Sequence, residues 1–118
     1  MTQPIEFSTI KIYSFYNEPI LYTAIDQFGQ KYLVNLVDYD EKSALDIWLA
    51  IPATDEELVA INNNVLSFHD FTTEHKSPTA LVVKSENKKI TQKYIKTSAI
   101  LKEWLPDDNI FADFIKHI

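Results

Sequence analysis

The chain has 118 residues, 46% hydrophobic and 24% charged, with a formal net charge of −6 at pH 7, the profile of one globular domain spanning residues 1–118. It contains no cysteine, which excludes disulfides, thiolate metal sites and cysteine nucleophiles and fits a reducing, cytoplasmic setting. There is no apolar run of about 18 residues to span a bilayer, and the first residues carry Glu6 and Glu18 with no basic region before an apolar stretch, so neither a membrane span nor a secretory signal is expected.

In chain order, residues 1–5 read as a frayed lead. Phe7 to Tyr16 is rich in β-branched and aromatic residues and reads as a first strand. Its alternation is imperfect, so either both faces are covered or a bulge lies near Tyr13. Asn17-Glu18-Pro19 is a turn. A second strand, Ile20 to Asp26, leads through Gln27-Phe28-Gly29-Gln30, with the chain's single glycine in the left-handed position. A third, Lys31 to Val37, places Tyr32, Val34 and Leu36 on one face. After an acidic loop over Asp38 to Ser43, Leu45 to Ile51 alternates cleanly: Leu45, Ile47, Leu49 and Ile51 point one way, toward the expected core, and Asp46, Trp48 and Ala50 the other. Trp48 then lies either under a helix or exposed.

Thr54 is the expected N-cap of a short helix, with Glu57 completing a capping box and acids filling the first turn. The helix ends in Asn62-Asn63-Asn64, which tolerate left-handed backbone. Ser67 is placed to cap a second turn over Phe68 to Thr72. Thr79 to Ser85 and Ile90 to Lys96 form two further strands around the polar turn Glu86 to Lys89. The lysine-rich last strand is an edge, protected against unwanted pairing. Ser98 to Trp104 suggests a helical turn, and the tail Asn109 to Ile118 is apolar enough to dock. The fold class is therefore α+β: a single, mainly antiparallel sheet of five or six strands with one or two short helices on one face.

Charge is uneven. Residues 1–75 carry three Lys against twelve acids, whereas residues 76–118 carry eight Lys against five. There is no arginine, and so no guanidinium fork to grip phosphate or guanine. An acidic chain of this kind is not expected to read nucleic-acid sequence. The lysines between Lys84 and Lys102, interleaved with Tyr94 and Trp104, could form a stacking face for single strands, but a lysine-guarded edge hairpin is the more ordinary reading. One glycine cannot build a phosphate cradle or dinucleotide fingerprint.

Other chemistries are weighed the same way. In Asp38-Tyr39-Asp40-Glu41, Asp38 and Asp40 sit at alternate positions as cation ligands do, but Lys42 and Ser43 stand where a calcium loop needs a ligand and a glycine. His69 and His75 are six residues apart and do not share a helix face, and a zinc site needs more ligands than they supply. A Ser67–His69–Asp70 triad is disfavoured because sequence neighbours rarely hold triad geometry. No cofactor and no metal is expected.

The spacing Phe15-Tyr16-x-x-Pro19-x-Leu21, then Gly29-x-x-Tyr32-Leu33, Val37-Asp38, Trp48-Leu49-x-x-Pro52 and Trp104-Leu105-Pro106 resembles a family of small uncharacterised bacterial domains, a domain of unknown function, over about Phe7 to Asp108. These motifs are aromatics, a turn glycine and proline stops. The absence of Arg and the Asn run at 62–64 depart from the family's pattern. The resemblance implies a compact α+β domain and no particular activity.

The functional expectation is a small acidic, non-enzymatic interaction domain: an inhibitor, immunity or regulatory partner of a basic protein. The expected contact residues are Asp38, Asp40, Glu41, Asp46, Trp48, Asp55 and Glu56, since a concentrated negative surface steers a positive partner. The alternative is a small-molecule-binding domain with an aromatic-lined pocket near Tyr22, Tyr32 and Trp48. A homodimer through the aromatic face of the fourth strand is compatible with either.

Overall fold

A computed structural model describes residues 5–16, 18–74, 77–100 and 102–106. Strands β1 (Ser8–Tyr16), β2 (Glu18–Ile25), β3 (Lys31–Asp40), β4 (Leu45–Ala53), β5 (Thr79–Glu86) and β6 (Lys89–Lys96) form one sheet in chain order. Every neighbouring pair is antiparallel. Helices α1 (Asp55–Asn62) and α2 (Phe68–Glu74) interrupt the meander between β4 and β5, and two 3-10 turns, Thr97–Ala99 and Lys102–Trp104, follow β6.

Turn chemistry explains the connections. Gly29 has φ of 88°, where an L side chain is strained. Asn87 and Lys88 both have positive φ, the signature of a two-residue hairpin turn matched to strand twist. Pairing in β1 slips between Thr9 and Lys11 and again between Ile12 and Ser14. The irregular alternation of this strand thus reflects two bulges, one of them at Tyr13 as the pattern suggests. The third strand continues past Val37 to Asp40, so the acidic residues Asp38 and Asp40 belong to the strand and not to a loop. They remain paired with β4 after a register shift between Leu36 and Asp38.

Alternation on β3 and β4 gives the sheet two apolar faces. On one, Leu33, Leu49 and Ile51 pack with Tyr13 and Leu21 against Leu58 and Ile61 of α1 and Phe68 and Phe71 of α2. The capping box of α1 forms as its sequence predicts, with Thr54 Oγ1 accepting from the Glu57 amide at 3.1 Å and Glu57 Oε1 from the Thr54 amide at 2.9 Å. Ser67 Oγ accepts from the Asp70 amide at 3.0 Å and so caps α2. Tyr13 stacks edge-on to Phe68, 5.1 Å between centroids, and its hydroxyl donates to Asn62 Oδ1 at the end of α1. Burial pushes the Tyr13 phenol above its ordinary pKa.

Among the described residues, the other face carries no helix. Ala24, Val34, Ala50 and Leu81 form its floor, with Tyr32 buried among them and Tyr22, Trp48, Val83, Ile5 and Phe7 packed over them. Ile5, the one described residue of the expected frayed lead, is tied down: residues 5–7 cross this face as a strap. The Ile5 amide donates to Gln92 Oε1 at 2.8 Å, and Gln92 Nε2 donates to the Ile5 carbonyl at 2.9 Å. Five strand spacings of about 4.8 Å would set β1 and β6 about 24 Å apart in a flat sheet, whereas residues 5–8 extend at most about 10 Å. The strap closes that distance because the sheet twists and curls over this face. The apolar tail at 109–118 lies outside the described residues.

Phe68 and Phe71 are fully buried. Phe68→Ala should cost about 3–5 kcal/mol, a large part of a typical domain's stability, and lower the denaturation midpoint with little change in the cooperativity slope.

Candidate functional site

The seven expected contact residues do not form one surface. Asp38, Asp40 and Glu41 are exposed at the β3–β4 tip, and Asp46 joins them opposite Tyr39. Asp55 and Glu56 begin α1 at the far end of β4. The nine residues of β4, at about 3.3 Å each, hold the two groups about 30 Å apart. Asp55 is also engaged: Lys31 Nζ lies 2.7 Å from its Oδ1. Trp48 is under neither of the two described helices, nor is it exposed. It is half-buried on the helix-free face, edge-on to Tyr22 with 6.0 Å between centroids.

What assembles at the tip is smaller and mixed in sign. Tyr39 is 63% exposed and flanked by Asp38 and Asp40, whose carboxylates accept from the amides of Tyr39 and Lys42 at 2.8 and 3.0 Å. The β5–β6 turn lies beside it, tied by the Asn87 amide to the Ala44 carbonyl at 3.3 Å. That turn carries Lys88 and Lys89 at the same end of the sheet, so charge there is mixed in sign.

The helix-free face holds the more developed concavity. A groove of about 1140 Å³ runs between the strap and β6. Ile5 and Phe7 form one wall, Ile90, Gln92 and Tyr94 the other, Tyr32, Leu81 and Val83 the floor, and Phe28 and Gln30 close the end at the β2–β3 turn. Three apolar side chains stand at its rim largely uncovered: Phe28 at 69%, Ile90 at 65% and Tyr94 at 58% exposure. Of the expected pocket aromatics, Tyr32 lines the groove, while Tyr22 and Trp48 pack beside it on the same face.

Asp26 sits at the closed end, 8% exposed. Its Oδ1 accepts from the amides of Phe28 and Gln30 at 2.8 and 2.9 Å, and its Oδ2 accepts from the Tyr32 hydroxyl at 2.8 Å. Burial disfavours the charge, but the Tyr32 hydroxyl and the amides of Gln30, Phe28 and Gly29 outweigh it and hold the carboxyl below its ordinary range. Tyr32 moves the opposite way: burial first, then the Asp26 carboxylate accepting its proton, raises the phenol far above its ordinary value. This pair was not singled out from the sequence. Its signal is an Asp continuing the Tyr22–Ala24 face into a turn three residues before a glycine, where an Asx turn is favoured. The strap and its Gln92 anchor have no comparable local signal.

The remaining candidates resolve simply. Ser67 is buried and serves as a helix cap, and His69 Nδ1 lies 3.4 Å from Asp70 Oδ1 on an exposed surface. His75 and His117 lie outside the described residues. Among the described residues no group of three His, Cys, Asp or Glu side chains is placed to hold a metal ion, and no helix is long and apolar enough to cross a membrane. Tyr94 faces the groove while Trp104 packs on the helix-covered core, so the two aromatics do not make one stacking platform.

The chain matches the model of a family of unknown function (DUF6575) over residues 6–117. No curated protein and no solved structure matches it.

A depressed carboxyl pKa adds stability that is complete above the unfolded-state value, about 3.9, and is lost as pH falls through the lower folded value. Asp26→Ala should therefore cost about 2–4 kcal/mol at neutral pH, by leaving the Tyr32 hydroxyl and the turn amides without their acceptor. It should also flatten the acid limb of the stability–pH curve measured by urea denaturation.

Proposed function

The chain belongs to this family of unknown function, and we propose that it is a non-enzymatic protein-interaction domain that engages its partner through the helix-free face. The observation that carries this reading is the apolar rim of Phe28, Ile90 and Tyr94 around the groove. Contiguous exposed apolar surface marks interaction sites, and aromatic anchors beside a cavity supply most of the affinity where they meet a partner. The polar groups of the groove are already committed: Asp26 to Tyr32 and the turn, Gln92 to the strap. An ionised, fully bonded Asp26 is a poor proton carrier at neutral pH, which favours binding over acid–base chemistry.

The exposed acids at the β3–β4 tip, with Tyr39 among them, add a secondary role. They would steer a basic segment of the partner toward the end of the groove where Ile90 lies, an effect that weakens with salt. This narrows the acidic surface from six acids to Asp38, Asp40, Glu41 and Asp46. A second reading, a small-molecule site, is favoured by the groove's volume, which is close to that of ligand pockets.

Capture of partners from a lysate of the chain's own source tests both readings. The native chain should retain a discrete protein. Ile90→Lys/Tyr94→Lys should reduce its recovery at least tenfold at all salt concentrations. Asp38→Asn/Asp40→Asn/Glu41→Gln should reduce only the recovery at low salt. Equal recovery by the native chain and the groove variant would overturn the interaction reading. A thermal upshift with a metabolite, absent in the groove variant, would support the small-molecule reading instead.

A further inference from the structure

We infer that the track across this face on which residues 5–7 lie, together with the groove beside it, is a site for an extended peptide segment, its strap portion held in this structure by the chain's own residues 5–7. This deepens the interaction reading and rests on it. The argument comes from how the strap is gripped. Gln92 uses its side-chain amide as a surrogate peptide group, accepting from the Ile5 amide at 2.8 Å and donating to the Ile5 carbonyl at 2.9 Å. It thus reads backbone in both directions, as a neighbouring strand would, and is indifferent to the side chain presented. Gln27 adds a second backbone contact, its Oε1 accepting from the Glu6 amide at 2.9 Å.

Side chains supply the remaining recognition. Ile5 and Phe7 turn inward and are half-buried, while Glu6 between them is exposed. Phe7 meets Tyr32 edge-on, with 5.1 Å between centroids and planes at 88°. The chemistry selected is therefore an extended backbone with apolar residues at alternate positions and tolerance of charge between them. That is the mode in which main-chain hydrogen bonds give affinity and alternate pockets give specificity. The groove continues beyond the strap along β6, where Ile90 and Tyr94 present further apolar surface. The occupant is a segment of a partner protein with this alternating pattern, and binding it displaces the strap. A tethered segment has an effective concentration of about millimolar or more, so the native chain binds such a segment weakly and any loosening of the strap strengthens binding.

The probe is a fluorescein-labelled peptide with the sequence Gln-Pro-Ile-Glu-Phe-Ser-Thr, titrated into the full chain and followed by anisotropy. Phe7→Ser should bind it at least tenfold more tightly than the native chain, and Phe7→Ser/Gln92→Ala should lose that gain. Equal affinities for all three proteins would overturn the proposal. If Phe7→Ser does not fold, the native chain is titrated with unlabelled peptide by NMR. Shifts of the Gln92 side-chain amide and the Phe7 ring are then expected, and their absence at saturating peptide overturns the site. A dimer formed by exchange of residues 5–7 between two copies, read as a concentration-dependent mass, would replace the foreign segment and overturn the partner assignment. Failure of this inference is separable from failure of the broader reading. In the first case the Gln92 and Phe7 variants leave peptide binding unchanged while Ile90→Lys/Tyr94→Lys still abolishes partner capture. In the second, the groove variant captures as well as the native chain.

Discussion

Two adjacent strands that are apolar on both faces set the terms for this fold. β3 directs Leu33 one way and Tyr32 and Val34 the other; β4 directs Leu49 and Ile51 against Ala50 and Trp48. A sheet with both faces apolar at its centre must be covered on both sides. The chain meets the first requirement with two short helices inserted between β4 and β5, too short to be stable alone and held by Leu58, Ile61, Phe68 and Phe71. It meets the second with three strap residues and the aromatic side chains themselves. Tyr22, Tyr32 and Trp48 spread over small floor residues, Ala24 and Ala50, which are fully buried although none of the described helices lies above them. That cover is narrower than the face, and the groove is what it leaves open.

Asp26 and Tyr32 fix the closed end of that groove. A carboxylate at the start of a tight turn orders the turn by accepting its amides, and here the second oxygen also anchors the aromatic ring on which Phe7 packs. A single buried charge therefore links the conformation of the β2–β3 turn, the orientation of the groove floor and the seat of the strap. Its partners stabilise the ionised form, so the arrangement is most secure at neutral pH and above.

Much of the architecture was legible in the sequence because it is written locally. The alternation of Leu45 to Ile51, the Thr54–Glu57 capping box, the Ser67 cap, Gly29 and the polar turn at Glu86 to Lys89 each depend on residues within a few positions of one another. Membership of a family of unknown function was legible for the same reason. The site was not. The six acids chosen for charge and proximity in sequence fall at both ends of β4, because a strand carries its two ends apart, whereas the groove joins residues 5 and 92 through a curl that no periodicity reports. Asp26 lies between these cases, since its turn is local while its bond to Tyr32 crosses from β2 to β3. Trp48 shows the limit of face assignment: parity places it on the second face, and only its neighbour Tyr22 determines that it is half-covered there.

The clasp between Ile5 and Gln92 spans 87 positions of sequence, and it couples residues 5–7 to β6. Contacts of such long range are costly to close and form late. During synthesis the strap leaves the ribosome well before its anchor exists, while the meander from β1 to β4 can already pair. For that interval Tyr32, Val34 and Ala50 lie open on a nascent sheet with neither β6 nor the strap in place. This is the kind of transient apolar surface that chaperones bind and that nascent chains stick by. Seating of residues 5–7 therefore cannot begin until β6 has been made.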